Sequence, residues 1–145
     1  MKKFKLVALV LAVLMMTACF VGCEKTEKVA LNVTISVIAE EGVVFGPVSI
    51  PMERPADDMP TILEAVQEAF ILNEVAYEND DMAILSINGL ADKVEGDYTY
   101  WWEYTVNGEV PASGRAGTIT VKDGDVIVYN YVKVLTSELI AAEGD

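Results

Sequence analysis

Pro60 to Asn73 reads PTILEAVQEAFILN. Ile62, Leu63, Val66, Ala69 and Phe70 recur at the helical period and make one apolar stripe, while Thr61 and Glu64 stand at capping-box spacing. Pro60-Thr61 is therefore a helix entrance. No other segment carries this pattern with equal strength, so the stretch separates a mixed α+β chain from an all-β one. Its stripe is narrow, which predicts a helix lying across a single sheet face.

Upstream, VALNVTISVIAE from Val29 alternates Leu31, Val33, Ile35 and Val37 against Asn32, Thr34 and Ser36, the mark of a half-buried strand. Glu41-Gly42 turns the chain into VVFGPVSIPM, a second extended run whose Gly46-Pro47 predicts a bulge or an edge position. Arg54 to Met59 is a polar loop. Downstream of the helix EVAYEND loses all periodicity, and MAILSING reads as a third strand closing on Asn88-Gly89. YTYWWEYTVNG, Tyr98 to Gly108, is a fourth strand ending in Asn107-Gly108, two residues that tolerate the positive φ of a type I′ hairpin turn. The chain then runs through EVPASGRAG into TITVKDGDVIVYNYVKV, where Asp123-Gly124 is read as a turn between alternating strands. The order strand, strand, helix, strand, strand, strand predicts an α+β fold, a β-grasp-like mixed sheet curled around a single helix. An immunoglobulin-like sandwich needs more strands and no long amphipathic helix.

The first residues, MKKFKLVALVLAVLMMTACFVGC, place three lysines before an apolar run from Leu6 to Met16 and then small residues beside cysteines. This is the pattern of a secretory signal peptide, too short for a spanning helix of ~20 residues. Small residues before a Cys at the end of such a run resemble the lipobox of bacterial lipoproteins, whose Cys thiol receives diacylglycerol. Cys23, after Phe20-Val21-Gly22, leaves the polar Glu24-Lys25-Thr26 beside the lipid and no other thiol in the mature chain. Cys19, after Met16-Thr17-Ala18, is the alternative, and a Cys19–Cys23 disulfide in an ordinary secreted protein is a third reading. The expected division is 1–22 lipoprotein signal peptide, 23–28 tether, 29–135 folded domain and 136–145 tail, the tail a frayed helix or without regular structure. Every version places the product outside the cytoplasm, the favoured one lipid-anchored to the bacterial cell membrane.

Losing the three signal lysines leaves 7 basic residues against 23 acidic, a net charge of −16 for the mature chain. Such a surface repels phosphate backbones and anionic headgroups, so no nucleic-acid partner is expected and only the lipid holds the chain at the membrane. The hydrophobic fraction of 52% in periodic runs argues for a folded domain and against acidic disorder. With no histidine, no cysteine in the folded part and no serine in a nucleophile context, the chain is read as non-enzymatic. Adjacent carboxylates such as Asp57-Asp58 point opposite ways on an extended chain, and the acidic runs at Glu78–Asp81 and Asp123–Asp125 lack calcium-loop spacing; no metal site and no resident cofactor are expected.

The run ILSINGL, then YWWEYTVNGEVPASG, then ITVKDGDVIVYNY resembles the transcobalamin-like C-terminal domain found in bacterial surface lipoproteins. The match spans about Val29 to Val134 and is densest after Ile84. The resemblance implies a soluble-ligand-binding variant of the β-grasp fold, with a corrinoid such as cobalamin as the candidate ligand. In vertebrate cobalamin carriers the similar domain closes over one corrinoid face while a helical barrel holds the other, and this chain has no room for that barrel. The rival reading is a surface protein–protein interaction or adhesion module, docking a transporter or a surface assembly.

On a regular strand Tyr100, Trp102, Tyr104 and Val106 share one face, which Tyr98 joins, and Trp101, Glu103 and Thr105 share the other. Val106 places the first row toward the helix, so Trp102 and Tyr104 are expected in the core. Trp101 is a large ring among polar neighbours, where exposed aromatic area marks a contact. The expected ligand surface is therefore Trp101, Glu103 and Thr105, extended by the hairpin from Asn107 to Arg115 and by Tyr100. The alternative for Trp101 is an edge aromatic covered by the tail.

Overall fold

A computed structural model describes residues 27–142. The signal peptide, Cys19, Cys23 and most of the tether lie outside these residues, as do residues 143–145 of the tail. Among the described residues, eight strands and two helices follow in the order β1 Lys28–Ala39, β2 Gly42–Pro55, α1 Ile62–Leu72, β3 Tyr77–Asn79, β4 Ile84–Ile87, β5 Leu90–Ala91, β6 Lys93–Glu95, β7 Tyr98–Val106, β8 Val126–Leu135 and α2 Thr136–Ala142. They form two open sheets, one ordered β2-β1-β8-β7-β6 and a smaller one ordered β3-β4-β5. Strands β1 and β8 run parallel side by side, and the other pairs are antiparallel. No helix among the described residues is long and apolar enough to cross a membrane.

Helix α1 forms where its pattern places it. The Glu64 amide donates to Thr61 Oγ1 at 3.2 Å and the Thr61 amide to Glu64 Oε2 at 2.7 Å, a reciprocal cap that satisfies two otherwise orphaned donors. Asn73 ends the helix, its amide and its side-chain nitrogen both donating to the Ala69 carbonyl, and Glu74 follows at φ 56. Ile62, Leu63, Val66, Ala69 and Phe70 are buried as expected, with Ala65 beside them. They pack against Leu31, Val33, Ile35 and Val37 of β1, Ile50 and Met52 of β2 and Ile84 and Ile87 of β4. Phe70 meets Phe45 edge-on at 5.6 Å and Tyr77 at 5.5 Å, tying the helix end to β2 and β3. Each such buried aliphatic or aromatic side chain contributes about 1.5–3 kcal/mol.

The Gly46-Pro47 signal is met by a register shift in the β1/β2 ladder on the outermost strand of the larger sheet. Gly46 has φ +76, and a Cβ there would fall on the Ile35 carbonyl oxygen.

Two expectations need correction. The single sheet is in fact two, because EVAYEND supplies β3, and Leu90 to Glu95 supplies β5 and β6. TITV is not a strand beyond an isolated bridge between Thr120 and Thr61. Carbonyls of this loop serve the helix entrance instead: the Ile62 amide donates to Ile119 O at 2.8 Å and the Leu63 amide to Ala116 O, just before TITV, at 3.0 Å, while the Val121 amide donates to Pro60 O at 2.9 Å. Ile119 and Val121 still alternate inward, against a helix terminus rather than beside a neighbouring strand. The tail forms the short helix α2, while α1 is the helix packed against the core.

Candidate functional site

The larger sheet carries its aromatic residues on β7 and β8, whose antiparallel register sets Trp102 opposite Tyr131 and Tyr104 opposite Tyr129. The register is held at one end by a clamp. Asn107 donates from Nδ2 to Asp125 Oδ1 at 2.9 Å and accepts at Oδ1 from the Val126 amide at 2.9 Å, while Asp125 Oδ2 accepts from the Lys122 amide at 2.8 Å. Asp123 Oδ1 accepts from the Asn32 amide at 2.8 Å, which links the same turn to β1. Asn107 and Gly108 both have positive φ and close a two-residue turn through reciprocal Val106–Glu109 backbone bonds. Asn107 thus uses both ends of its carboxamide within the fold.

On the face turned toward α1 and the smaller sheet, the aromatic side chains form a ladder. Tyr100 stacks on Tyr131 at 5.8 Å, Trp102 tilts against Tyr131 at 4.8 Å, and Tyr104 stacks on Tyr129 at 5.6 Å. Trp102 Nε1 donates to Leu90 O at 2.8 Å and the Tyr131 hydroxyl to Ala91 O at 2.6 Å, so β5 holds the middle of the ladder through its carbonyls. The Tyr104 and Tyr129 hydroxyls are buried without a hydrogen-bond partner. Burial raises the pKa of both, most strongly at Tyr129, and keeps them protonated.

Open spaces flank this ladder. One, of about 340 Å³, lies among Tyr100, Tyr131, Lys93, Glu95, Leu90, Val44 and Ala39 to Glu41. Lys93 Nζ sits 4.7 Å from the Tyr100 ring centre, and Lys133 Nζ lies 4.6 Å from that of Tyr98. Another, of about 270 Å³, lies among Asp80, Ala83 to Leu85, Asp92, Trp102, Tyr104, Tyr129 and Gly114 to Ala116.

Trp101, Glu103 and Thr105 lie on the other face, all half-buried, opposite Val132, Asn130 and Val128. Trp101 borders two shallow spaces. The larger, about 530 Å³, includes Asp92, Lys93, Val94, Thr99, Tyr100 and Leu139 of α2; the smaller, about 200 Å³, runs along β7 past Trp102, Glu103 and Tyr104 to Val110, Pro111 and Gly114. Trp101 and Glu103 therefore meet in one groove, and α2 approaches the indole without sealing it. Tyr100 is buried at 7% exposure on the inner face, and Arg115 is exposed beside the inner cavity. The expected set thus falls on both sides of one strand. Tyr129, Tyr131, Lys93 and Asp92 were missed, although the parity of Ile127, Tyr129 and Tyr131 in VIVYNYV marks them as one inward row.

Among the described residues no three carboxylates converge on a metal-binding position. Asp80 Oδ1 accepts from the Met82 and Ala83 amides, both at 2.7 Å, and these bonds lower its pKa. That carboxylate shapes the β3–β4 turn.

A family model described as a domain of unknown function (DUF4430) matches residues 60–133, and the chain belongs to that family. No curated protein matches it at sequence level. Similar solved structures include a protein from Ruminococcus gnavus ATCC 29149 described as metal binding, 19% identical over 72% of this chain and 98% of that one, with a TM-score of 0.46. They also include haptocorrin in complex with Cbi, 18% identical over 79% of this chain and 27% of that one, with a TM-score of 0.54. The haptocorrin likeness is one of fold, and it supports the transcobalamin-like architecture. This chain corresponds to about a quarter of haptocorrin's length.

Proposed function

We propose that this DUF4430 member is a non-enzymatic, extracytoplasmic lipoprotein, acylated at Cys23, whose β-grasp-like domain binds a flat small ligand with a corrinoid as the first candidate. The parallel β1/β8 pair at the centre of the larger sheet and the helix between β2 and the later strands support the β-grasp name. The observation that carries the ligand reading is the groove along β7, where Trp101 and Glu103 share an open wall with Val110, Pro111 and Gly114. An indole there offers a face for stacking on a conjugated ring, and Glu103 and Thr105 offer polar contacts beside it. Tyr100 borders the neighbouring space beside Trp101, whereas Arg115 stands at the inner cavity. The haptocorrin neighbour, solved in complex with Cbi, makes corrinoids the class to test first.

Titration of the mature chain with cyanocobalamin and with cobinamide, followed by tryptophan emission and melting temperature, tests this reading. Saturable quenching with a raised melting temperature is expected, and Trp101→Ala removes both while preserving the fold. A flat response at high micromolar ligand defeats the corrinoid assignment.

A surface interaction or adhesion module is the second reading. It is favoured by β2, fourteen residues long on the edge of the larger sheet, with Val43 at 64% exposure. An unpaired edge can accept a partner strand.

A further inference from the structure

The edge of β7 turned away from β8 is only partly covered. Hydrogen-bonded pairs alternate along an antiparallel ladder, and at the end of the β7/β8 ladder the Asn107 amide donates to Val126 O at 2.8 Å. The bonds to β8 therefore belong to the odd-numbered residues of β7, and the main-chain groups of the even-numbered ones point the other way. On that side β6 pairs with Tyr98 to Tyr100 and ends. The Trp102 amide donates to Asp92 Oδ1 at 3.2 Å, and Val106 exchanges both of its main-chain bonds with Glu109. Between these points the Trp102 carbonyl and the amide and carbonyl of Tyr104 have no hydrogen-bond partner among the described residues.

Unpaired main-chain groups spaced along a strand are a template for another extended chain. Trp102, Tyr104 and Gly114 border both the inner cavity of about 270 Å³ and the outer groove of about 200 Å³, so this edge has space on either face of the sheet. An antiparallel segment laid there exchanges two hydrogen bonds with Tyr104 and donates a third to the Trp102 carbonyl from the residue two further on. The residue between them lies opposite Glu103 on the outer face, while its two neighbours lie opposite Tyr104 and Trp102 on the inner face. Glu103 is half-buried, and no basic side chain pairs with it among the described residues. Trp101, one diagonal step along the same face, is within reach of a long side chain. The inner walls offered to the two neighbours include Trp102, Ile84 and Leu85. Three carboxylates, Asp80, Asp92 and Glu103, line the two spaces against one cation, Arg115.

We propose that the open edge of β7 from Trp102 to Tyr104 takes an extended segment of a partner protein in which an arginine stands between two apolar residues. The arginine meets the Glu103 carboxylate and the Trp101 indole on the outer face, and the apolar side chains enter the inner cavity. The outer groove is the one offered above to a flat ligand, so the two occupants exclude each other there.

The probe is acetyl-Thr-Val-Arg-Val-Thr-amide, titrated into the mature chain and followed by amide resonances and amide hydrogen exchange. Without peptide the Tyr104 amide exchanges at least about tenfold faster than those of Glu103 and Thr105, which donate to β8. With peptide its resonance shifts saturably, at a dissociation constant of about 0.1–1 mM, and its exchange slows. Methylating the nitrogen of the first valine, which faces the Tyr104 carbonyl, weakens binding about tenfold. Glutamate in place of the arginine weakens it about tenfold, and Glu103→Gln in the chain weakens the parent peptide about threefold. The proposal is overturned by a protected Tyr104 amide in the free chain, by the absence of saturable shifts, or by equal affinity of the methylated or the glutamate peptide. A flat response to corrinoids leaves these outcomes unchanged, and a missing peptide response leaves the corrinoid titration unchanged, so the two readings fail separately.

Discussion

Replacing each of the two adjacent tryptophans with alanine separates the faces of β7 in a single measurement. Trp102→Ala removes the Nε1 donation to Leu90 O, the 4.8 Å contact with Tyr131 and the packing of the indole against the core. A buried Trp→Ala costs about 3–5 kcal/mol, to which a hydrogen bond contributes about 1 and an aromatic pair about 0.5–1.5. Because the Trp102 indole is half-buried, the lower end, about 3 kcal/mol, applies. Trp101 borders open grooves and donates no side-chain hydrogen bond among the described residues, so its removal costs about 1 kcal/mol or less. For a domain of this size 1 kcal/mol moves the melting temperature by about 4 °C, which predicts losses of about 12 °C and at most about 4 °C. Far-UV circular dichroism melts, with urea titrations to check that the slope m is unchanged, supply the comparison. Equal losses, or a greater one for Trp101, would refute the assignment of faces and with it the outer binding surface.

The clamp gives a second expectation: Asp125→Ala frees the Asn107 carboxamide and the Lys122 amide and lowers stability by about 2–4 kcal/mol in urea titration. Gly46→Ala forces a Cβ onto the Ile35 carbonyl at positive φ, and thermal melting should show a loss of about 1–3 kcal/mol. The Met82 and Ala83 amides hold the Asp80 carboxyl below its usual value of 3.8, so its contribution is present above that pH and lost as pH falls through the lowered folded value. Asp80→Ala should therefore lower the melting temperature near neutral pH, and its difference from wild type should shrink in acid. If acylation uses Cys23, labelling with a tagged fatty acid in the producing cell is lost in Cys23→Ser and retained in Cys19→Ser.

Local signals were legible in the sequence and long-range ones were not. The helix and its cap could be read because the stripe and the Thr61/Glu64 pair lie within a few residues of one another. The turns at Asn88-Gly89 and Asn107-Gly108 could be read because positive φ selects a small set of residue types. Strands β3, β5 and β6 have three, two and three residues, too few for a period to emerge, and they exist through pairing with β4 and β7. Ile119 and Val121 show the same alternation whether the backbone meets a strand or a helix terminus, so TITV was misread. The candidate site divides in the same way. The aromatic concentration on β7 is visible at once, but Tyr129 and Asp80 come from segments farther along the chain and join it only through sheet register and loop packing.

Register also explains why the turn motifs that carry the family resemblance matter to the surface they do not line. Side chains on a strand alternate with a period of two, so a slip of one residue between β7 and β8 would bring Trp101 inward and put Trp102 in its place. Asn107, Asp123 and Asp125 oppose that slip by tying the ends of β7 and β8 to each other and to Asn32 on β1. A substitution in the clamp should therefore disturb both faces of β7 together, the indole at the outer groove and the Tyr104–Tyr129 pair within. Trp102, Tyr104 and Gly114 border both the inner cavity and the outer groove, so a substitution at any of them also reaches both. The acidic turn thereby determines which aromatic side chain of β7 faces each side of the sheet.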